Sequence, residues 1–139
     1  MSQKKILIVD DDPEVRVSLH VRLKVNNYEV VFAEDGVAGI AEARKHMPDL
    51  ILLDLGLPAG DGFSVLERLK ANASLSMIPV IVISGRVRIP NRDWALKAGA
   101  IAFLQKPVDN ARLLSMIRYA LGEKSMAEPV VYDLGDAIN

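Results

Sequence analysis

The chain has 139 residues, half of them apolar and a quarter charged, the composition of one globular domain able to bury a core without disulfide or metal staples. Seventeen basic residues against eighteen acidic ones leave a net charge of −1, so charge alone points to no nucleic acid, anionic membrane or polyacidic substrate. The lack of cysteine excludes disulfide frameworks, thiol catalysis and thiolate metal sites, and two histidines, His20 and His46, argue against a His-rich zinc centre.

Near the start, Ile6 to Val9 is an apolar run that meets three aspartates. It is too short for a signal peptide, and no run approaches the ~20 apolar residues of a membrane span. These features lead us to expect a soluble cytoplasmic domain.

Lys5 to Val9 reads as a strand buried on both faces. Asp12 then offers an N-cap acceptor, and Pro13 suits the first position of a helix. In that helix Val15, Leu19 and Leu23 recur at i, i+4 and i+8, as do Val17, Val21 and Val25, which predicts a wide and well-covered apolar face. Glu29 to Ala33 is a weaker strand of the same type, followed by a helix marked by Val37, Ile40, Ala41 and Ala43. Leu50 to Leu53 is a third strand, with Phe63, Leu66 and Leu69 marking the next helix. Val80 to Ile83 is a fourth strand, and the helix after it closes at Ala98-Gly99-Ala100. Ile101 to Leu104 is a fifth strand, and Asp109 is placed to cap a last helix carrying Leu113, Met116, Ile117 and Leu121.

Strict β–α alternation with short connections predicts an α/β fold, a doubly wound parallel sheet of five strands with helices on both faces. The expected domain is residues 1–122. Residues 123–139, interrupted by Pro129 and Gly135 and rich in acids, read as a C-terminal tail too short to be an output domain.

Such sheets bind ligands at the carboxyl ends of their strands. There the sequence places Asp10 and Asp11, Asp54, Ser84, and Lys106-Pro107. Two carboxylates 4 Å apart at an effective dielectric near 20 repel by about 4 kcal/mol, so a cluster of three calls for cations. Lys106 supplies one, and all-oxygen ligands favour Mg²⁺ as the other.

Together these segments, Ile6-Leu7-Ile8-Val9-Asp10-Asp11-Asp12-Pro13, Leu53-Asp54-Leu55-Gly56-Leu57-Pro58 with Asp61-Gly62, Ile83-Ser84-Gly85, and Gly99-Ala100 with Lys106-Pro107, resemble the receiver domain of two-component response regulators. The resemblance covers roughly residues 4–121. It implies the flavodoxin-like, CheY-like strand order 2-1-3-4-5 and a cis Lys106-Pro107 bond. It also implies that Asp54 accepts a phosphoryl group from a phosphohistidine. Mg²⁺ would be held by Asp10, Asp11, Asp54 and the Gly56 carbonyl, while Lys106 and Ser84 contact the phosphoryl oxygens.

By the same resemblance Phe103 senses Ser84, and the face of the fourth helix, fifth strand and fifth helix is the readout surface. Arg86, Arg88, Arg92, Trp94 and Lys97 lie on that segment. The implied partners are a sensor histidine kinase or histidine phosphotransfer protein and a downstream protein, with room for a homodimer through the readout face and no direct binding of nucleic acid or membrane. Gly56 and Arg86, two residues after Asp54 and Ser84, stand at positions that tune phosphoryl lifetime in that family.

The simpler readings are an acidic cap at Asp12, a core position for Phe103, helix packing for Trp94, a solvated basic face for Arg86 to Lys97, and ordinary surface roles for His20 and His46. Two competing functions are a pseudo-receiver that has lost the chemistry and a Mg²⁺-dependent phosphatase. The second lacks an acid two residues after its nucleophile, because Gly56 stands there.

Overall fold

The computed structural model describes residues 3–57, 62–85 and 89–123. Five strands, β1 (Lys5–Val9), β2 (Glu29–Ala33), β3 (Leu50–Asp54), β4 (Val80–Ser84) and β5 (Ala102–Gln105), alternate with five helices, α1 (Pro13–Val25), α2 (Gly36–His46), α3 (Gly62–Ala71), α4 (Ile89–Lys97) and α5 (Asn110–Ala120). The strands form one sheet in the order β2-β1-β3-β4-β5, and every pairing is parallel. Among the described residues no helix is long and apolar enough to cross a membrane.

Side chains alternate across this sheet and divide the core in two. Leu7, Val9, Ile51, Leu53, Val80, Val82 and Phe103 face α2, α3 and α4, where Ile40, Ala43, Val65, Leu66, Leu69 and Ala95 meet them. Ile6, Ile8, Leu50, Leu52, Ile81, Ile83 and Leu104 face α1 and α5, packing on Leu19, Leu23, Leu113, Met116 and Ile117. Because β1, β3 and β4 are apolar at successive residues, both of their faces can be covered, which is what the right-handed crossovers provide.

The helix boundaries follow local chemistry. The Asp12 carboxylate accepts from the Glu14 N–H at 2.9 Å, with Pro13 at the start of α1. Asp109 likewise accepts from the Arg112 N–H at 2.9 Å. At the end of α4, Gly99 adopts φ 111°; its N–H reaches Leu96 O at 3.1 Å and the Ala100 N–H reaches Ala95 O at 2.9 Å. This is the paired bonding of a Schellman closure, whose left-handed residue glycine adopts without Cβ strain.

Three expectations need correction. The apolar face of α1 is narrower than its valines suggest: Leu19 and Leu23 are buried while Val17, Val21 and Val25 are exposed, because only one side of the helix meets the sheet. In α2, Gly39, Ile40 and Ala43 are buried, whereas Val37 and Ala41 face outward. β2 is an edge strand with one of its five residues buried, so it is not covered on both faces. Strands β3 and β4 end, as expected, in Asp54 and Ser84, which lie within the sheet as their last residues.

Candidate functional site

The polar residues gather where β1 and β3 lie side by side. The chain leaves these neighbouring strands into helices on opposite faces of the sheet, α1 on one and α3 on the other, and the divergence leaves a crevice at their carboxyl ends. Asp10 follows β1 and is buried, Asp11 is exposed at the rim, and Asp54 ends β3 and is buried. Each offers a carboxylate oxygen within 4.8 Å of the others.

Lys106 arrives from the end of β5, two strands away from β3. Its Nζ donates to Asp10 Oδ2 at 2.9 Å and stands 3.5 Å from Asp54 Oδ2. The strand pairing brings it there: Ser84 opposes Gln105, and the Lys106 N–H donates to Ser84 O at 2.9 Å. The Lys106-Pro107 bond is cis.

Backbone donors fix the two buried carboxylates. Asp10 Oδ1 accepts from the Asp12 N–H at 2.9 Å, and Asp54 Oδ1 accepts from the Gly56 N–H at 2.9 Å. Burial raises the Asp54 pKa above the ordinary aspartate value, since a carboxylate loses hydration there; the Gly56 N–H and the Lys106 charge offset only part of this. Burial acts in the opposite sense on Lys106, but the hydrogen bond to Asp10 and the charges of Asp54 and Asp10 outweigh it, leaving the ammonium held more firmly than usual. One lysine therefore leaves the three acids with excess negative charge, and their donor set, carboxylate oxygens alone, suits a hard divalent cation.

Ser84 is buried at the end of β4, and Phe103, which pairs with Val82 in register, is buried among the residues facing α4. Trp94 packs on Phe63 with ring centroids 4.7 Å apart, so it serves helix packing. His20 stacks on Phe32 at 5.3 Å, and His46 faces Glu42 at 3.2 Å. Both lie outside the acidic cluster. Arg86, Arg88, Pro58 and Asp61 fall outside the described residues, as do residues 124–139.

Sequence reasoning passed over three features here. Arg16 Nη1 donates to the Asp10 carbonyl at 2.7 Å, tying α1 to the loop that presents the acids. A single arginine on a helix gives no signal of this. A groove of about 440 Å³ runs beside the site between α1 and Pro107-Val108, floored by Val15, Leu19 and Ile83 and edged by Glu14, Ser18 and Arg22; it exists only once α1 and the β5–α5 loop are assembled. The third is the close seating of Gly62 against Asp54.

Known proteins are similar to this chain in sequence and fold. The profile of the response regulator receiver domain family matches residues 6–118. PilH of Pseudomonas aeruginosa is 37% identical over 117 residues, covering 84% of this chain and 97% of PilH. The DNA-binding dual master transcriptional regulator RpaA of Synechocystis is 38% identical over 117 residues, covering 84% of this chain and 48% of that protein. The response regulator PleD of Caulobacter vibrioides is 39% identical over 115 residues, covering 82% of this chain and 25% of PleD. The chain thus spans nearly all of PilH but half or less of RpaA and PleD.

Among solved structures, a CheY-like receiver domain protein from Methanospirillum hungatei superposes with a TM-score of 0.81 at 33% identity, covering 87% of this chain and 95% of that one. The receiver domain of a sensor histidine kinase from P. aeruginosa, solved with magnesium coordinated in its active site cleft, superposes with a TM-score of 0.80 at 27% identity, covering 88% and 100%.

Proposed function

This chain belongs to the response regulator receiver domain family of two-component systems, and on that premise we propose that residues 1–122 act as a switch that takes a phosphoryl group onto Asp54 from the phosphohistidine of a sensor histidine kinase or histidine phosphotransfer protein. The observation that carries this reading is the cluster itself: three carboxylates within 4.8 Å of one another, with the Lys106 ammonium 2.9 Å from one of them and 3.5 Å from another.

In the transfer the P–N bond to the donor imidazole breaks, a P–O bond to an Asp54 oxygen forms, and the imidazole nitrogen takes up a proton. Asp54 is suited to accept. Its carboxylate is anchored by the Gly56 N–H, and burial strips it of part of its hydration. Asp10, Asp11, Asp54 and the Gly56 carbonyl would hold Mg²⁺, which supplies charge neutralisation to the phosphoryl oxygens during in-line transfer. Lys106 already bridges Asp10 and Asp54, and its ammonium would pair with a phosphoryl oxygen. Ser84, last in β4 and joined to Lys106 through its backbone carbonyl, would donate its hydroxyl to another.

The readout rests on differential contacts in two states. A phosphoryl group adds charge and acceptors at Asp54, drawing on Ser84 and Lys106 at the ends of β4 and β5. Phe103 would respond to the movement of Ser84, transmitting it to the α4-β5-α5 face, where a downstream protein or a second copy binds. The groove between α1 and Pro107-Val108 adjoins Lys106 and suits the approach of the phosphodonor. The domain would work in the cytoplasm.

The test is incubation with acetyl phosphate and Mg²⁺, followed by intact-mass measurement of wild type and Asp54→Asn. One added phosphoryl group on wild type and none on the variant is the expected result. No adduct with any donor would leave an interaction module, and steady turnover of assorted phosphoesters would make the protein a phosphatase.

A further inference from the structure

The outer face of α1 is unusual for a solvent-facing helix. Val17, Val21 and Val25 are 62%, 56% and 80% exposed, and they recur at i, i+4 and i+8 on the side turned away from the buried Leu19 and Leu23. β-branched residues lower helix propensity, so three of them in line on a solvated face gain nothing for the helix. They form an apolar stripe about 12 Å long at 1.5 Å per residue.

We propose that residues 124–139 of this same chain occupy that stripe. The first support is where the segment departs. Glu123 Oε1 accepts from the Tyr28 hydroxyl at 2.8 Å, and the Tyr28 N–H in turn donates to Leu23 O, in the last turn of α1, at 3.0 Å. The chain is therefore tied through Tyr28 to the last turn of α1, which ends at Val25. The second is reach: at roughly 3.3 Å per extended residue, the seven residues from Glu123 to Val130 span up to about 23 Å, more than the stripe requires.

Charge adds to this: the last turn of α1, where Val25 ends the stripe, carries Arg22 and Lys24. Residues 124–139 carry Glu128, Asp133 and Asp136 against Lys124, with Val130, Val131, Tyr132 and Leu134 between the acids. Apolar side chains match the valines, and the acids match the basic last turn of α1. A partner protein that uses the outer face of α1 must first displace this segment. The inference is independent of phosphoryl transfer to Asp54.

With no native cysteine, Ala137→Cys accepts a single nitroxide label in the full chain, and loss of amide NMR signal reports residues near it. The expected result is a loss of roughly half the intensity or more concentrated around Val17, Val21 and Val25. It should disappear when all three are replaced by serine, a change that leaves the buried leucines intact. No loss, loss spread evenly over the surface, or loss that survives the triple substitution would overturn the proposal. So would broadening in a mixture of labelled chains without ¹⁵N and unlabelled ¹⁵N chains, which would assign the stripe to a second copy.

Discussion

Gly62 is seated directly on the backbone of Asp54. A Cβ at position 62 would lie 2.3 Å from the Asp54 carbonyl oxygen and 2.5 Å from Leu55 Cα, and the Gly62 N–H donates to Leu55 O at 3.3 Å. The start of α3 thus rests against the turn that presents the acidic side chain, and only a residue without a side chain fits.

Gly62→Ala should therefore cost stability out of proportion to one methyl group. The obstructing atoms are backbone and cannot swing aside, so the loss expected is roughly 1–3 kcal/mol, read from urea unfolding. An unchanged midpoint would mean that the turn after β3 yields easily and that Gly62 does not position Asp54.

Divalent cation should stabilise the folded protein, because the three carboxylates converge only there. With Mg²⁺ at about 100 times its dissociation constant, the gain is ~2.7 kcal/mol, visible as a rise in Tm over chelator-treated protein. Asp11→Asn and Asp54→Asn should each diminish the rise. A rise of equal size in both variants would place the cation elsewhere.

Burial raises the Asp54 pKa in the folded state, and the sign of the resulting pH dependence is fixed. Below the ordinary aspartate value the carboxyl is neutral in both folded and unfolded chains. As pH rises through that value the unfolded chain ionises first and gains, so stability falls until pH passes the raised folded value. In chelator, Asp54→Asn should accordingly be more stable than wild type at neutral pH, and the difference should shrink as the solution is acidified. A variant less stable than wild type at neutral pH would show that the Asp54 charge is better compensated than its burial implies.

Tyr28 behaves similarly at the alkaline end. Burial, then the hydrogen bond to Glu123, pushes its pKa up to about 12. The stability this contributes is complete below pH ~10, the ordinary tyrosine range, and is lost as pH rises through the folded value. Tyr28→Phe removes the 2.8 Å bond to Glu123 and should cost roughly 0.5–1.5 kcal/mol at neutral pH. Absorbance titration should show one fewer late-ionising tyrosine, and an unaltered titration would detach Tyr28 from the effect.

Gly56 leaves the approach to the Asp54 carboxylate open, since a Cβ there would stand 3.4 Å from Oδ1 and 3.7 Å from Oδ2. If Asp54 carries the phosphoryl group, Gly56→Asn should slow its hydrolysis by hindering water. Loss of the phosphoryl group followed by mass measurement gives the rate, and an equal or faster rate would remove position 56 from control of lifetime.

Alternation of apolar strands with periodic helices was enough to determine the doubly wound sheet, because period and punctuation are local properties. Asp12, Asp109 and Gly99 announced their capping roles for the same reason: each acts on backbone within a few residues. The acids and Lys106 were legible as a group only because parallel strands align their carboxyl ends; their 2.9 and 3.5 Å separations depend on how β1, β3 and β5 lie in the sheet.

Tertiary structure decided what periodicity left open. Two valine or leucine rows on α1 look alike in sequence, yet one meets the sheet and the other faces water, since a helix packed on a single layer covers one side of itself. β2 resembled the inner strands until its place at the sheet edge uncovered it. Arg16 on the Asp10 carbonyl, Gly62 on Asp54 and Tyr28 on Glu123 are pairings of groups whose neighbours are chosen by the assembled fold, and no spacing along the chain encodes them.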